Sequence, residues 1–398
     1  MITDIITALL LAGDLTLSFF VGYLYFWLLV SLRYAGRRNA EAPGCKKFAI
    51  IVPAHNEELV IENLLRSAKA LDYPGECLEM IVIADNCTDR TEEIVTQSGM
   101  SCLVRTDPER RGKPYALQWA FQQIDLQKYD AFVIIDADTT IDPKFLKSMN
   151  LALHEGHEII QGYLGILNPD ETWLTRLMVI PGVLKYRYRY RGKKRLGFSC
   201  PLMGNGMCFA RRVITQYGWD ALSLTENWEY YIKSVLRGIF PTYEEAYIYS
   251  LTADTTQRGR TQRERWLKGR LECIRGYFWH LLKAAVTKRD LRILDCAVEL
   301  ILPSISMLAN LSGLQFILSI VHCFWVRAIY PSVAWAALLP ILITSYFVFG
   351  AAASQPSRKT WFSLLRAPIF LSWKFLLTIR GFATRRETGW RKTERTKK

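Results

Sequence analysis

Between residues 5 and 32 this 398-residue chain has no lysine or arginine, and Asp14 is the one acid there. A secretory signal needs a basic start and a short apolar core, and both are missing. The stretch exceeds the ~20 apolar residues that span a bilayer, so it is expected to be an uncleaved anchor rather than a buried core helix. The nine cysteines include no C-x-x-C pair. An odd count without ligand spacing argues against a disulfide framework and a structural zinc site, and it suits a reducing cytosol. No G-x-G-x-x-G loop and no Walker loop occur, which argues against dinucleotide and P-loop chemistry. An apolar content of 50% excludes a disordered chain, and the length sets an expectation of two or three domains.

What is present is unevenly placed. Lys plus Arg number 51 and Asp plus Glu 37, a net charge of +14. A mean hydropathy of +0.06 coexists with 22% charged residues only if the apolar residues are concentrated in segments. Arg33, Arg37, Arg38, Lys46 and Lys47 follow the first apolar stretch, and the positive-inside rule places that side in the cytoplasm. Further apolar blocks cover 300–326 and 332–353, separated by a short link whose one charge is Arg327. From Ser354 onward twelve Lys or Arg stand against Glu387 and Glu394, a net +10. Three spans with the N-terminus outside put both basic stretches inside. Residues 361–382 are apolar but carry Arg366, Lys374 and Arg380 and are interrupted by Pro368. They are expected to lie in the interface, facing anionic headgroups, with a fourth span as the alternative.

Between residue 48 and about residue 284 the pattern changes. Short β-branched runs at 48–53, 79–85, 101–104 and 130–138 alternate with helical patterns from Asn56 and over 91–97, 113–123 and 143–153. That alternation predicts an α/β domain with a mostly parallel sheet covered by helices on both faces. Ligands of such sheets bind beyond the carboxyl ends of the strands. There the chain places His55, Asn56, Glu57, Asp85, Asn86, Asp136 and Asp138. The organisation read from the sequence is an N-terminal span (1–32), a basic cytoplasmic linker (33–47), the α/β domain (48–284), two spans (285–353), and an amphipathic helix with a basic tail (354–398).

Asp136 and Asp138 end a buried apolar run, so they cannot both face the core. Such a pair suits Mg²⁺ or Mn²⁺, with substrate phosphates completing the shell. Asp142, just before Pro143, reads as a helix cap. Lys113, in RRGKPYAL with Arg110 and Arg111, is a candidate diphosphate contact; a solvated basic loop is the other reading of that run.

IVPAHNE (51–57), VIADNCTD (82–89), GKPYAL (112–117), DAD (136–138), GNG (204–206), LTEN (224–227) and QRERW (262–266) follow in that order. Together they resemble a membrane-embedded family 2 glycosyltransferase, similar to cellulose, hyaluronan and exopolysaccharide synthases. The resemblance covers about 48–280 and the flanking spans. It implies a GT-A domain inserted between transmembrane helices and using a nucleotide-diphosphate sugar. Pro53, Ala54, Glu57 and Asp85 would hold the base and ribose, Asp136 the nucleotide and Asp138 the metal. Gln262, Arg263, Arg265 and Trp266 would meet the diphosphate and acceptor from an interfacial helix. Ala84 stands where the family has the first of two Asp residues.

A second departure concerns the base. The family's Thr-Glu-Asp is here Thr225-Glu226-Asn227, and a neutral amide cannot accept the acceptor hydroxyl's proton. Glu226, at the N-terminal edge of a helix predicted over 228–236, is favoured; Glu229 is next, and a capping role for Glu226 is the alternative. Trp266 suits sugar stacking, and an interfacial anchor is equally open. The basic and aromatic run 185–195 is read as touching headgroups or a phosphorylated acceptor, or else as a solvated helix end, with nucleic acid set aside. Asp295 and Glu299 are expected to be exposed to water.

The function this implies is an inverting, metal-dependent hexosyltransferase of the plasma or inner membrane, using a UDP-sugar in exopolysaccharide or cell-surface glycan synthesis, with single-sugar transfer to a lipid-linked acceptor as the alternative. Its partners are a nucleotide-sugar donor, membrane lipids, and a membrane-associated glycan or lipid-linked acceptor. The polymer reading adds a partner subunit or homo-oligomer, because three spans are few for a channel. A non-catalytic, degenerate member is the rival reading.

Overall fold

The structure is a computed structural model and describes residues 2–33, 42–252, 258–326 and 331–383. Arg37, Arg38 and the basic tail beyond residue 383 lie outside the described residues. The chain divides into two compact units: Met1–Tyr34 with Pro169–Arg195 and Ile301–Arg385, and Ala35–Asn168 with Leu196–Leu300.

The second unit is built on one eight-stranded sheet. Its strands are β1 (Phe48–Ala54), β2 (Leu78–Asp85), β3 (Ser101–Arg105), β4 (Ala131–Ile134), β5 (Thr139–Ile141), β6 (Ile159–Ile166), β7 (Met207–Ala210) and β8 (Thr242–Ser250). Their spatial order is β3-β2-β1-β4-β7-β6-β8-β5. Four of the seven pairings are parallel; the three antiparallel ones all involve β5 or β7. The four expected strands are therefore the parallel half, and β5 to β8 are additions that give a mixed sheet. The run 130–138 does not continue as one strand: β4 ends at Ile134 and β5 restarts at Thr139.

Side chains alternate across a strand, so a strand covered on both faces is apolar throughout. In β1, Ala49 and Ile51 join Phe132, Ile134, Leu117 and Tyr230 in one buried cluster. Phe48, Ile50 and Val52 join Val133, Ile61 and Leu64 in the other. Each buried Val, Leu, Ile or Phe among them contributes about 1.5–3 kcal/mol. The chain steps outward from β1 to β2 and β3, then crosses back to place β4 on the other side of β1. The carboxyl ends of β1 and β4 therefore flank the switch point where ligands of such sheets bind.

Among its described residues the first unit contains three helices long and apolar enough to cross a membrane: Ile2–Leu32, Ile305–Val326 and Val333–Ala353. Polar contacts tie them, as expected where burial alone gives no driving force between helices. Trp335 Nε1 donates to Ser18 Oγ at 2.8 Å and Tyr25 Oη to the Leu342 carbonyl at 2.8 Å. The apolar region 361–382 forms two helices, Arg358–Leu364 and Ala367–Ala383, with Pro368 near the start of the second, where its missing N–H costs nothing. At 17 residues the second is shorter than a typical span.

Three expectations are corrected. Residues 169–195 cluster with the apolar helices, not with the sheet, because Leu174, Leu177 and Ile180 bury against that unit's core. The run 185–195 is not a solvated helix end. It forms a π-helix (Leu184–Tyr190) leading into Arg191–Arg195. Tyr186, Tyr190 and Lys193 are buried, and the Lys193 ammonium lies over the Tyr23 and Trp27 rings. Asp295 and Glu299 are also buried. Their helix, Leu291–Ile301, packs Ile293, Cys296, Ala297 and Leu300 into the sheet unit's core.

Candidate active site

At the carboxyl end of β1 and β2 the backbone turns sharply. Asn56 and Asn86 adopt φ of 56° and 52°, a region that Asn tolerates better than most residues. Asn56 Oδ1 accepts from the Thr88 amide at 2.7 Å, and Asn86 Oδ1 from the Asp107 amide at 2.9 Å. His55 Nδ1 lies 2.7 Å from the Asp85 carbonyl. Pro53 and Ala54 pair with Ile83 and Ala84, and Glu57 is buried beside them, its amide donating to Thr91 Oγ1 at 2.8 Å.

Asp85 is not open. Its Oδ1 accepts from Arg105 Nη1 at 2.5 Å and from Asn86 Nδ2 at 2.9 Å, and both acid and guanidinium are buried. Arg105 Nη2 donates onward to Asp107 Oδ2 and the Arg110 carbonyl, each at 2.8 Å. One guanidinium thus ties the end of β2 to the loop that leads to Lys113.

Lys113 begins the helix Lys113–Gln123. Its Nζ donates to Asp136 Oδ1 at 2.5 Å and to the Gly204 carbonyl. Burial opposes its charge, but Asp136, Glu226 and Asp138 outweigh burial and raise its pKa. Lys113 is therefore a fixed cation, not a solvated loop residue.

The loop 202–206 is the hub of the site. Asn205 Oδ1 accepts from the Asp136 amide at 3.1 Å while its Nδ2 donates to Thr139 Oγ1 at 2.8 Å. Gln161 grips the loop from β6: its Oε1 accepts from the Met203 amide at 2.7 Å and its Nε2 donates to the Asn205 carbonyl at 2.9 Å. Gly206 has φ of 66°, and a Cβ there would meet Ile248 Cδ1 at 2.7 Å, so both backbone and space call for glycine.

Glu226 opens the helix Glu226–Leu236. Burial raises its pKa, aided by Asp136 and opposed by Lys113 and Arg265. Arg265 comes from the 31-residue helix Arg258–Lys288. That helix reaches Thr225 because residue 269 is glycine: a Cβ there would lie 2.5 Å from Thr225 Cγ2. Gln262, Arg263 and Arg265 are half-buried on the helix and Trp266 is exposed. Burial lowers the Arg263 pKa to about 10. Lys113, Asp136, Asp138, Glu226 and Arg265 form one interacting group of charges.

The family model described as glycosyltransferase like family 2 matches residues 43–269. The chain belongs to this glycosyltransferase family. Among its relatives, a probable glycosyltransferase, YdaM of Bacillus subtilis, is 29% identical over 56% of this chain and 55% of its own length. A β-monoglucosyldiacylglycerol synthase of Nostoc is 27% identical over 45% and 39%. The chain thus spans about half, or less, of these relatives. The mannosyltransferase PcManGT of Pyrobaculum calidifontis, solved with GDP-Man and Mn2+, superposes with a TM-score of 0.54. It is 17% identical and covers 86% of this chain and 98% of its own, a likeness of fold.

Two positions of this glycosyltransferase-family chain depart from the expected roles. Glu229 is occupied elsewhere, which removes it as a candidate base. Its Oε2 accepts from the Leu222 and Ser223 amides at 3.0 and 2.9 Å, and its Oε1 lies 2.8 Å from Lys233 Nζ. Burial would raise its pKa, but Lys233 and Ser223 outweigh burial and lower it. Asn227 Nδ2 donates to the Leu202 carbonyl at 2.6 Å. Sequence reasoning missed Arg105 and Gln161, and it flagged Asn205 only as part of the GNG motif, with no role assigned. Arg105 had a readable signal, a basic residue ending the strand beside Asp85; Gln161 had none.

Proposed function

We propose that the chain transfers a hexose from a nucleoside-diphosphate sugar to a membrane-associated acceptor, with inversion at the anomeric carbon. The observation that carries this is the convergence of Lys113, Asp136, Asp138, Glu226 and Arg265 on the rim beside the β1/β4 switch point. Lys113 and Arg265 supply positive charge beside these three carboxylates, and a departing diphosphate needs such charge.

Among the described residues no three His, Cys, Asp or Glu side chains gather into a closed metal cage. That fits Mg²⁺ or Mn²⁺ bound through one or two carboxylates and donor phosphates. Asp138 would hold the ion, which neutralises charge developing on the leaving diphosphate. Asp136, fixed by Lys113 and by its amide on Asn205, would orient the nucleotide. Pro53, Ala54 and Glu57 would line the base and ribose, and Asp85, closed off by Arg105 and Asn86, would reach the nucleoside only by exchanging one of those partners. Lys113, Gln262, Arg263 and Arg265 would bind the diphosphate, and Trp266 would offer its exposed face to the acceptor sugar. Glu226 takes the acceptor hydroxyl's proton as that oxygen attacks the anomeric carbon; its raised pKa suits a general base.

Charge and span parity support a multi-pass protein with this chemistry on the cytoplasmic face. A glycolipid or lipid-linked acceptor is favoured over a long polymer, because the three candidate spans among the described residues are few for a channel and a relative is, by its name, a synthase of β-monoglucosyldiacylglycerol, a glycolipid. The test supplies the purified chain in lipid with UDP- and GDP-sugars, followed by mass spectrometry of extracted lipids and NMR of the new linkage. One added hexose in β linkage from an α-linked donor supports the reading. A long polymer would overturn the single-transfer part, and an α linkage would overturn inversion.

A further inference from the structure

Asn227 occupies the place of an acid whose family role is proton removal, and its hydrogen bond shows a different task. Its Nδ2 donates at 2.6 Å to the Leu202 carbonyl. Its side chain also lies against Gly204, about 3.8 Å from the position of an added Cβ. The loop it grips is the one whose Gly204 carbonyl holds Lys113 and whose Asn205 holds the Asp136 amide. Gln161 and Thr139 secure that loop from the sheet side. Among the described residues, Asn227 secures it from the helix that begins with Glu226.

We infer that Asn227 is a positioning residue, an amide tether that sets the distance between Glu226 and the Lys113–Asp136 pair. The chemistry of the bond makes this specific. A carbonyl oxygen accepts and cannot donate, so its partner must be a donor. An ionised aspartate at 227 would set two acceptors against each other, with Glu226 and Asp136 adding like charge nearby. Restoring the family's acid would therefore damage this site. The inference rests on the transferase reading for its kinetic consequence, though not for the contact itself.

The test uses Asn227→Asp in the full chain in lipid. Three quantities are compared with the parent between pH 5 and 8: kcat, affinity for the free nucleoside diphosphate with metal, and thermal unfolding. The loop stays held by Gln161 and Thr139, so diphosphate affinity should remain within about threefold. The kcat should fall by roughly tenfold or more, the scale of one lost buried donor. Both the kcat deficit and the Tm deficit should shrink as pH falls, because a protonated carboxyl regains a donor. The charged neighbours Glu226, Lys113, Asp136 and Arg265 are common to both proteins, so the ratio of variant to parent isolates residue 227. A variant as active as the parent or faster would overturn the inference and mark 227 as a position for a base. A Tm deficit that is absent, or independent of pH, would also overturn it. Absence of transfer by the parent with every donor would count against the transferase reading alone, and the unfolding data would still decide the tether.

Discussion

Glu226 and Glu229 stand one turn apart on one helix, and their surroundings separate them. Glu226 is half-buried, and desolvation with Asp136 nearby raises its pKa; Glu229 is held by Lys233 and two amides and its pKa is lowered. Replacing Glu226 by Gln should lower kcat by about 10² to 10⁴, the usual contribution of a general base, with diphosphate binding retained in calorimetry. The parent's kcat/KM should rise with pH through an apparent pKa above that of an ordinary glutamate, since only the ionised form accepts a proton. That limb should vanish in the Gln variant. Glu229→Gln should instead cost about 1 to 3 kcal/mol of stability while turnover changes little. The sign follows from linkage. A folded pKa below the unfolded one stabilises above about pH 4.3, and that contribution is lost as pH falls through the folded value. Urea unfolding at pH 7 and pH 4 checks it.

At the scale of elements, the helix Arg258–Lys288 reaches the site only because Gly269 leaves room for Thr225. Gly269→Ala should cost about 1 to 3 kcal/mol as overpacking and should lower kcat by moving Arg265 from Glu226. A variant with parental Tm and kcat would show that the helix adjusts freely. The parallel half of the sheet was legible, because β1, β2 and β4 are covered on both faces and read as unbroken apolar runs. The mixed half, β5 to β8, was not. β7 is four residues long and β5 three, too short to show a period. The motif residues Asp136, Glu226 and Arg265 were legible one at a time. What their neighbours do was not, because Arg105, Gln161 and Asn205 act through contacts between distant segments. Buried Asp295 and Glu299 were misread for the same reason: a charged residue near an apolar block carries no local sign of whether its helix packs inward.

At the scale of the molecule, two kinds of hydrophobic surface divide the chain. The sheet unit closes its apolar residues into two cores, while the three long helices leave Leu9, Leu15, Phe324 and Trp325 exposed, as suits contact with lipid. The proposed orientation predicts that exposed Cys45, in a Cys323→Ser background, resists an impermeant maleimide in intact cells and reacts after lysis. Labelling in intact cells would reverse the orientation. The central claim is that the charged rim binds a nucleotide sugar through a divalent ion and cleaves it for transfer. The most direct measurement is nucleoside diphosphate release by the purified chain in lipid, across UDP- and GDP-sugars, with membrane extract as acceptor. The account predicts release from one donor that needs Mg²⁺ or Mn²⁺, stops with chelator, and is lost in Glu226→Gln. Release that persists in chelator, or in the Gln variant at the parental rate, would contradict it.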